Sequence, residues 1–130
     1  MKRLTIAYAV AAALAFAGVS PAAGGLTGTF KTKIAGAPSA QFDGLWTMKI
    51  AASGRYSIAL GKQILISGRA TEKASTITFG HETGPAACKG AQATGLYRWQ
   101  LHGARLTFTH VADRCPGRSF VLGHAFTKTA

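Results

Sequence analysis

The chain has 130 residues, of which 48% are hydrophobic and only 15% charged. That is too apolar for a disordered chain and too short for two domains. Lys and Arg number 15 against 4 Asp and Glu, a formal net charge of +11, and 2 cysteines are too few for a disulfide-dense scaffold.

The first segment reads as an export signal rather than part of the fold. Lys2 and Arg3 precede an apolar, Ala-rich run from Ile6 to Val19, and Ser20-Pro21-Ala22 puts small residues where a signal peptidase reads. Cleavage is expected after Ala22, with Gly24 as the second choice. The run is too short and wrongly flanked for a membrane span, and no later stretch approaches the ~18 apolar residues of a spanning helix. No cysteine lies near the cleavage site to take a lipid. The expectation is a signal peptide over 1–22, a single domain over 23–130, and a periplasmic or secreted location.

Losing Lys2 and Arg3 leaves 13 basic residues against 4 acidic ones, or +9. Charge of that sign draws phosphate-bearing partners. The cations are scattered, however, with close pairs such as Lys31/Lys33 and Arg114/Arg118 but no polybasic run. The sequence therefore predicts weak, salt-sensitive attraction to polyanions and no specific nucleic acid partner.

The domain itself alternates with period 2, the signature of half-buried strands. Tyr56, Ile58 and Leu60 share a face, as do Ile77, Phe79 and His81. Tyr97, Trp99 and Leu101 oppose Arg98, Gln100 and His102, and Leu106, Phe108 and His110 oppose Arg105, Thr107 and Thr109. Eight strands are predicted, at 28–35, 44–50, 55–60, 62–69, 75–82, 95–102, 104–111 and 119–128. Turn residues at Gly61-Lys62, Gly103, Ala35–Ser39 and Cys115-Pro116-Gly117 separate them. The fold class is all-β: an antiparallel up-and-down barrel of about eight strands, with a β-sandwich as the alternative. Charged and polar residues at outward parity fit a membrane barrel poorly, since that fold needs an apolar outer band.

In such a meander, alternate connections share an end. The connections at 36–43, 61–62, 83–94 and 112–118 fall together, which brings Cys88 and Cys115 to one end and predicts a disulfide between them. Asp43, Glu82, Asp113, Lys89, Arg114 and Arg118 collect at the same end. They read as a salt-bridge cluster in which Glu82 and Asp113 pair with Arg118 and tie the loops to the disulfide, or as the polar mouth of a pocket. His81, His110 and His124 share parity with core aromatics, which would set imidazoles beside carboxylates. That pattern is too weak to predict a metal, a haem or catalysis. No Ser/His/Asp motif, phosphate loop or CxxC pair supports an enzyme or calls for a cofactor.

Phe42-Asp43-Gly44-Leu45-Trp46 resembles the Gly-x-Trp signature on the first strand of lipocalins and the wider calycin superfamily. In that family the Trp plugs the closed end of the barrel, and an Arg from a late strand packs across it. Trp46 matches the motif, whereas Arg114 and Arg118 fall in a loop and neither takes the arginine's place by register. The stretch from Glu82 through Cys88 and Gly95–Trp99 to Asp113-Arg114-Cys115-Pro116-Gly117-Arg118 is similar to small secreted bacterial lipocalin-like domains. Leu122–Lys128 also resembles the last strand of the avidins, without their Trp-rich pocket. The resemblance implies a carrier of a small apolar or amphipathic ligand, with Tyr56, Phe79, Tyr97, Trp99, Phe108 and His110 lining its site. The alternative is a barrel that binds a protein partner through its surface, such as a periplasmic protease inhibitor.

Overall fold

A computed structural model describes residues 25–130; the expected signal peptide, 1–22, lies outside the described residues. The alternation noted above becomes eight strands: β1 (Gly28–Ile34), β2 (Gly44–Ile50), β3 (Arg55–Leu60), β4 (Gln63–Lys73), β5 (Thr76–Thr83), β6 (Gly95–His102), β7 (Arg105–Asp113) and β8 (Phe126–Lys128). Each pairs antiparallel with the next, and β8 returns to β1, closing a barrel in sequence order. The closed ring rules out the sandwich. No helix among the described residues is long and apolar enough to cross a membrane.

Inward positions carry the apolar side chains. Phe30, Met48, Ile77, Phe79 and Leu106 are fully buried, and Trp46, Tyr56, Ile58 and Tyr97 nearly so. Outward positions carry Lys, Arg, Thr and Ser. Gly68 lies opposite Tyr56 in the ladder. A Cβ there would come 2.8 Å from the Tyr56 ring, so glycine makes the room in which that ring lies.

Three irregularities shift the parity by one. In β4, Leu65 is extra between the pairs Ala59–Ile64 and Ile58–Ile66. In β5, His81 and Glu82 together face the single residue Gly68. In β7, Val111 is extra between the pairs Tyr97–His110 and Leu96–Ala112. Such bulges bend a strand and re-aim its side chains. The β4–β5 hairpin also runs further than predicted, to Lys73, because Ala74 takes a left-handed conformation (φ 56°) and allows a tight turn.

The predicted final strand, 119–128, is mostly not a strand. Residues Pro116–Leu122 form a helix, α1. Pro116 suits the first helical turn, where its missing N–H costs nothing. Arg118, Val121 and Leu122, at helical spacing, are the buried face. Gly123 to Ala125 follow as a turn, and only Phe126–Lys128 pair as β8. His124 is accordingly not on a strand: its ring lies against Phe120 at 5.0 Å, with Nδ1 2.9 Å from the Phe120 carbonyl. At the opposite end of the barrel Leu26 is fully buried, and its N–H donates to Glu72 (3.2 Å).

Candidate functional site

The end covered by α1 is built around one arginine. Arg118 is 2% exposed, and each of its five N–H groups has an acceptor within reach. Nε and Nη2 clasp Asp113 at 2.8 and 2.7 Å. Nη1 meets Glu82 at 2.9 Å. The remaining donors reach the carbonyls of Ala93 (3.3 Å) and Gln92 (3.0 Å) in the β5–β6 loop. Glu82 also accepts from the Tyr56 hydroxyl and the Cys88 N–H, and Asp113 from the Tyr97 hydroxyl and the Cys115 N–H. Gly95 leaves space for this group, since a Cβ there would fall 2.5 Å from Asp113 Oδ2 and 2.9 Å from Arg118 Nε. The Cys88–Cys115 disulfide is present, with Cα atoms 6.0 Å apart.

The electrostatics follow from that packing. Burial, then the Glu82 carboxylate, drives the Tyr56 hydroxyl above the ordinary tyrosine range, and burial with Asp113 does the same to Tyr97. Burial alone would raise the Asp113 carboxyl, but hydrogen bonds from Arg118, Tyr97 and the Cys115 N–H outweigh it and hold the carboxyl low. Burial opposes the charge on Arg118, yet Asp113 and Glu82 hold it protonated more firmly than in water. The cluster is a paired, hydrogen-bonded ionic group. It resembles neither a metal site nor an acid–base pair, because both Asp113 oxygens already accept two bonds each.

The expected ligand-binding residues divide. Tyr56, Phe79, Tyr97 and Phe108 form a chain of edge-on ring contacts inside the barrel, with centroids 5.0 to 6.1 Å apart. Phe126 extends it from Phe108 at 6.2 Å. Trp99 packs against this core while partly exposed, and its Nε1 has no hydrogen-bond partner among the described residues. His110 is not inside. It is exposed at the rim, its ring edge-on to Tyr97 and its Nε2 3.1 Å from the Asp113 N–H, across the bulge at Val111. His81 is likewise exposed: in the β5 bulge it takes φ 52° and turns outward, while Glu82 turns inward to Arg118. The imidazole–carboxylate pairs that parity suggested therefore do not form inside the barrel.

The interior retains a cavity of about 50 Å³ beneath α1, lined by Phe42, Trp46, Ile58, Val121 and Arg118 among others. Trp46 Nε1 donates to the Phe42 carbonyl (2.8 Å). Trp46 and Arg118 thus border one space at one end of the barrel, although no register read from the strands alone joined them.

The outer wall holds what sequence reasoning missed. Thr29, Lys49, Ser57, Ser67 and Thr83 stand in register across β1 to β5, each opposite the next. One row away, Arg55 is directly opposite Arg69. Two open depressions follow this wall. One, about 510 Å³, is lined by Lys49, Arg55, Ser57, Ser67, Arg69 and His81 among others. The other, about 570 Å³, adjoins it through Lys49 and Ser57 and adds Lys31 and Lys62. Outward parity marks most of these residues, but the bulge at Leu65 is what makes the two arginines meet.

No family model, curated protein or solved structure matches the chain.

Proposed function

We propose that the protein is an exported binding barrel that meets its partner through its outer wall. The observation that carries this reading is the filled interior. Tyr56, Phe79, Tyr97 and Phe108 occupy the lumen edge to face, and the cavity beneath α1, about 50 Å³, is far below the roughly 300–1,000 Å³ of small-molecule pockets. A carrier of an apolar ligand, as the lipocalin resemblance implies, has to open that aromatic cluster first. The outer depressions are larger, already open, and lined by charge.

Export is part of the proposal. It rests on the charged and apolar run at the N-terminus, and the Cys88–Cys115 disulfide suits an oxidising compartment. The likeness to lipocalin-like domains is supported by Trp46 and Arg118 bordering one cavity, the pair of residue types that family brings together. Binding rather than catalysis is favoured because the buried carboxylates are engaged by Arg118, tyrosine hydroxyls and backbone N–H groups.

The test is native mass spectrometry of protein purified from the compartment to which it is exported, with a titration of the apolar dye Nile red. Protein of bare mass and no saturable dye binding is the expected result. A stoichiometric apolar small molecule retained by the barrel, or tight dye binding, would overturn the outer-wall reading.

A further inference from the structure

Arg55 and Arg69 face each other across β3 and β4, both exposed. Like charges directly opposite in an antiparallel pair destabilise a sheet, and among the described residues neither arginine has an ion-pair partner. All four acidic side chains are engaged elsewhere: Glu82 and Asp113 by Arg118, Asp43 by the Ala37 N–H, and Glu72 by the Leu26 N–H. Among the described residues, the wall that carries Lys31, Lys49, Arg55, Lys62 and Arg69 has no acidic side chain; the Ala130 carboxyl group lies at its far end beside Thr29, away from the two arginines. Cations that look scattered along the chain are gathered by the barrel register into one field.

The floor between these cations is hydroxylic. Thr29, Ser57, Ser67 and Thr83 lie in one row with Lys49. Five strands at about 4.8 Å spacing give a trough roughly 19 Å long, running across the strands. A peptide cannot join it by strand addition, because the ring is closed and the trough crosses strands rather than following an edge. The aromatic anchors that dominate protein–protein hot spots are missing from its exposed lining. So are the stacking platforms used for single-stranded nucleic acid; Tyr56 touches the depression but is buried, with its hydroxyl on Glu82. Apart from the exposed Ile64 at the β1–β3 side, what remains is a set of hydroxyl donors and acceptors beside a guanidinium pair that can grip an oxyanion with parallel hydrogen bonds.

From these features, and resting on the outer-wall reading above, we infer that the trough across β1–β5 binds an anionic glycan. Arg55 and Arg69 together clamp one of its acidic groups, Lys49 and the flanking lysines take further charges, and the Ser and Thr row bonds to sugar hydroxyls. The bound anion relieves the repulsion between the arginines, so occupancy stabilises the barrel.

The experiment uses the exported protein and a heparin-derived hexasaccharide as probe, titrated by calorimetry in ~0.15 M salt, where exposed long-range attraction is largely screened. Maltohexaose, a single-stranded oligonucleotide, a polyglutamate peptide and anionic vesicles serve as comparators. The Arg55→Gln/Arg69→Gln variant is set against Arg98→Gln/Arg105→Gln, which removes equal charge from β6 and β7. The expected result is that the sulfated hexasaccharide binds more tightly than every comparator. The Arg55/Arg69 variant should lose affinity by about tenfold or more, equivalent to ~1.4 kcal/mol, and the Arg98/Arg105 variant should match the parent. Without ligand, the Arg55/Arg69 variant should melt no lower than the parent, since it has lost a repulsive pair. Equal losses in both variants, or an oligonucleotide, peptide or vesicle that binds as well as the hexasaccharide, would overturn the glycan assignment. A bare barrel that excludes Nile red would leave the outer-wall reading standing in that case.

Discussion

Glu82 and Asp113 stand on either side of one guanidinium, and each also accepts the backbone N–H of one half of the disulfide. Glu82 takes that of Cys88 and Asp113 that of Cys115, while Arg118 bridges the two carboxylates. The covalent and ionic ties therefore join the same two loops. The charge cluster was legible as a pairing that ties the loops to the disulfide; its burial was not.

Removing Arg118 should be severe. Arg118→Met leaves two buried carboxylates without their counter-charge, and breaking a buried pair in this way costs about 3–5 kcal/mol. Urea unfolding measures it. A loss below about 1 kcal/mol, the range of surface ion pairs, would show that water reaches the cluster.

Cys88→Ser and Cys115→Ser should each lower stability by about 2–5 kcal/mol, and the double variant by little more than either single one. The bond spans 27 residues of sequence, for which chain entropy alone gives roughly 3–4 kcal/mol. Thiol titration of the native protein should find none free; two free thiols would defeat the assignment.

Alkaline pH should unfold the barrel. From residue 25 onward the chain's only tyrosines are Tyr56 and Tyr97, and both hydroxyls are raised in the fold. A raised folded pKa contributes stability that is fully present below the unfolded value of about 10 and is lost as pH rises beyond it. Tyrosinate absorbance should then appear together with loss of near-UV circular dichroism. Smooth ionisation near pH 10 in protein that stays folded would contradict the burial of these hydroxyls.

Phe79→Ala should do two things at once. Phe79 is fully buried and touches Tyr56, Tyr97 and Phe108, so truncation should cost about 3–5 kcal/mol. The space created should admit benzene where the parent admits none. Parent and variant binding benzene equally would mean that the parent lumen already opens.

Strand positions were legible because most inward residues are large and apolar and their neighbours polar, as in Tyr97–Trp99–Leu101 against Arg98–Gln100–His102. Parity failed where the ladder slips. Nothing in Gly80-His81-Glu82 announces that His81 takes a left-handed conformation and hands the inward position to Glu82. Helix α1, seven residues long, is too short for a periodic signal, and the apolar run Phe120-Val121-Leu122, with its aromatic and β-branched residues, passes for a buried strand. The outer trough was hidden because it exists only between strands. Arg55 and Arg69 are separated in sequence by a hairpin and become opposite through the extra residue Leu65.

Ring closure has a consequence for how the molecule is made. β1 joins β8 across almost the whole domain, with the Thr129 N–H donating to the Thr29 carbonyl at 2.8 Å. Contacts so distant in sequence cannot form until the final strand is available, and they slow folding relative to a local-contact fold of equal size. Phe126–Lys128 therefore acts as a timing element: until those three residues have been synthesised, β1 lacks its second neighbour and the chain remains unfinished.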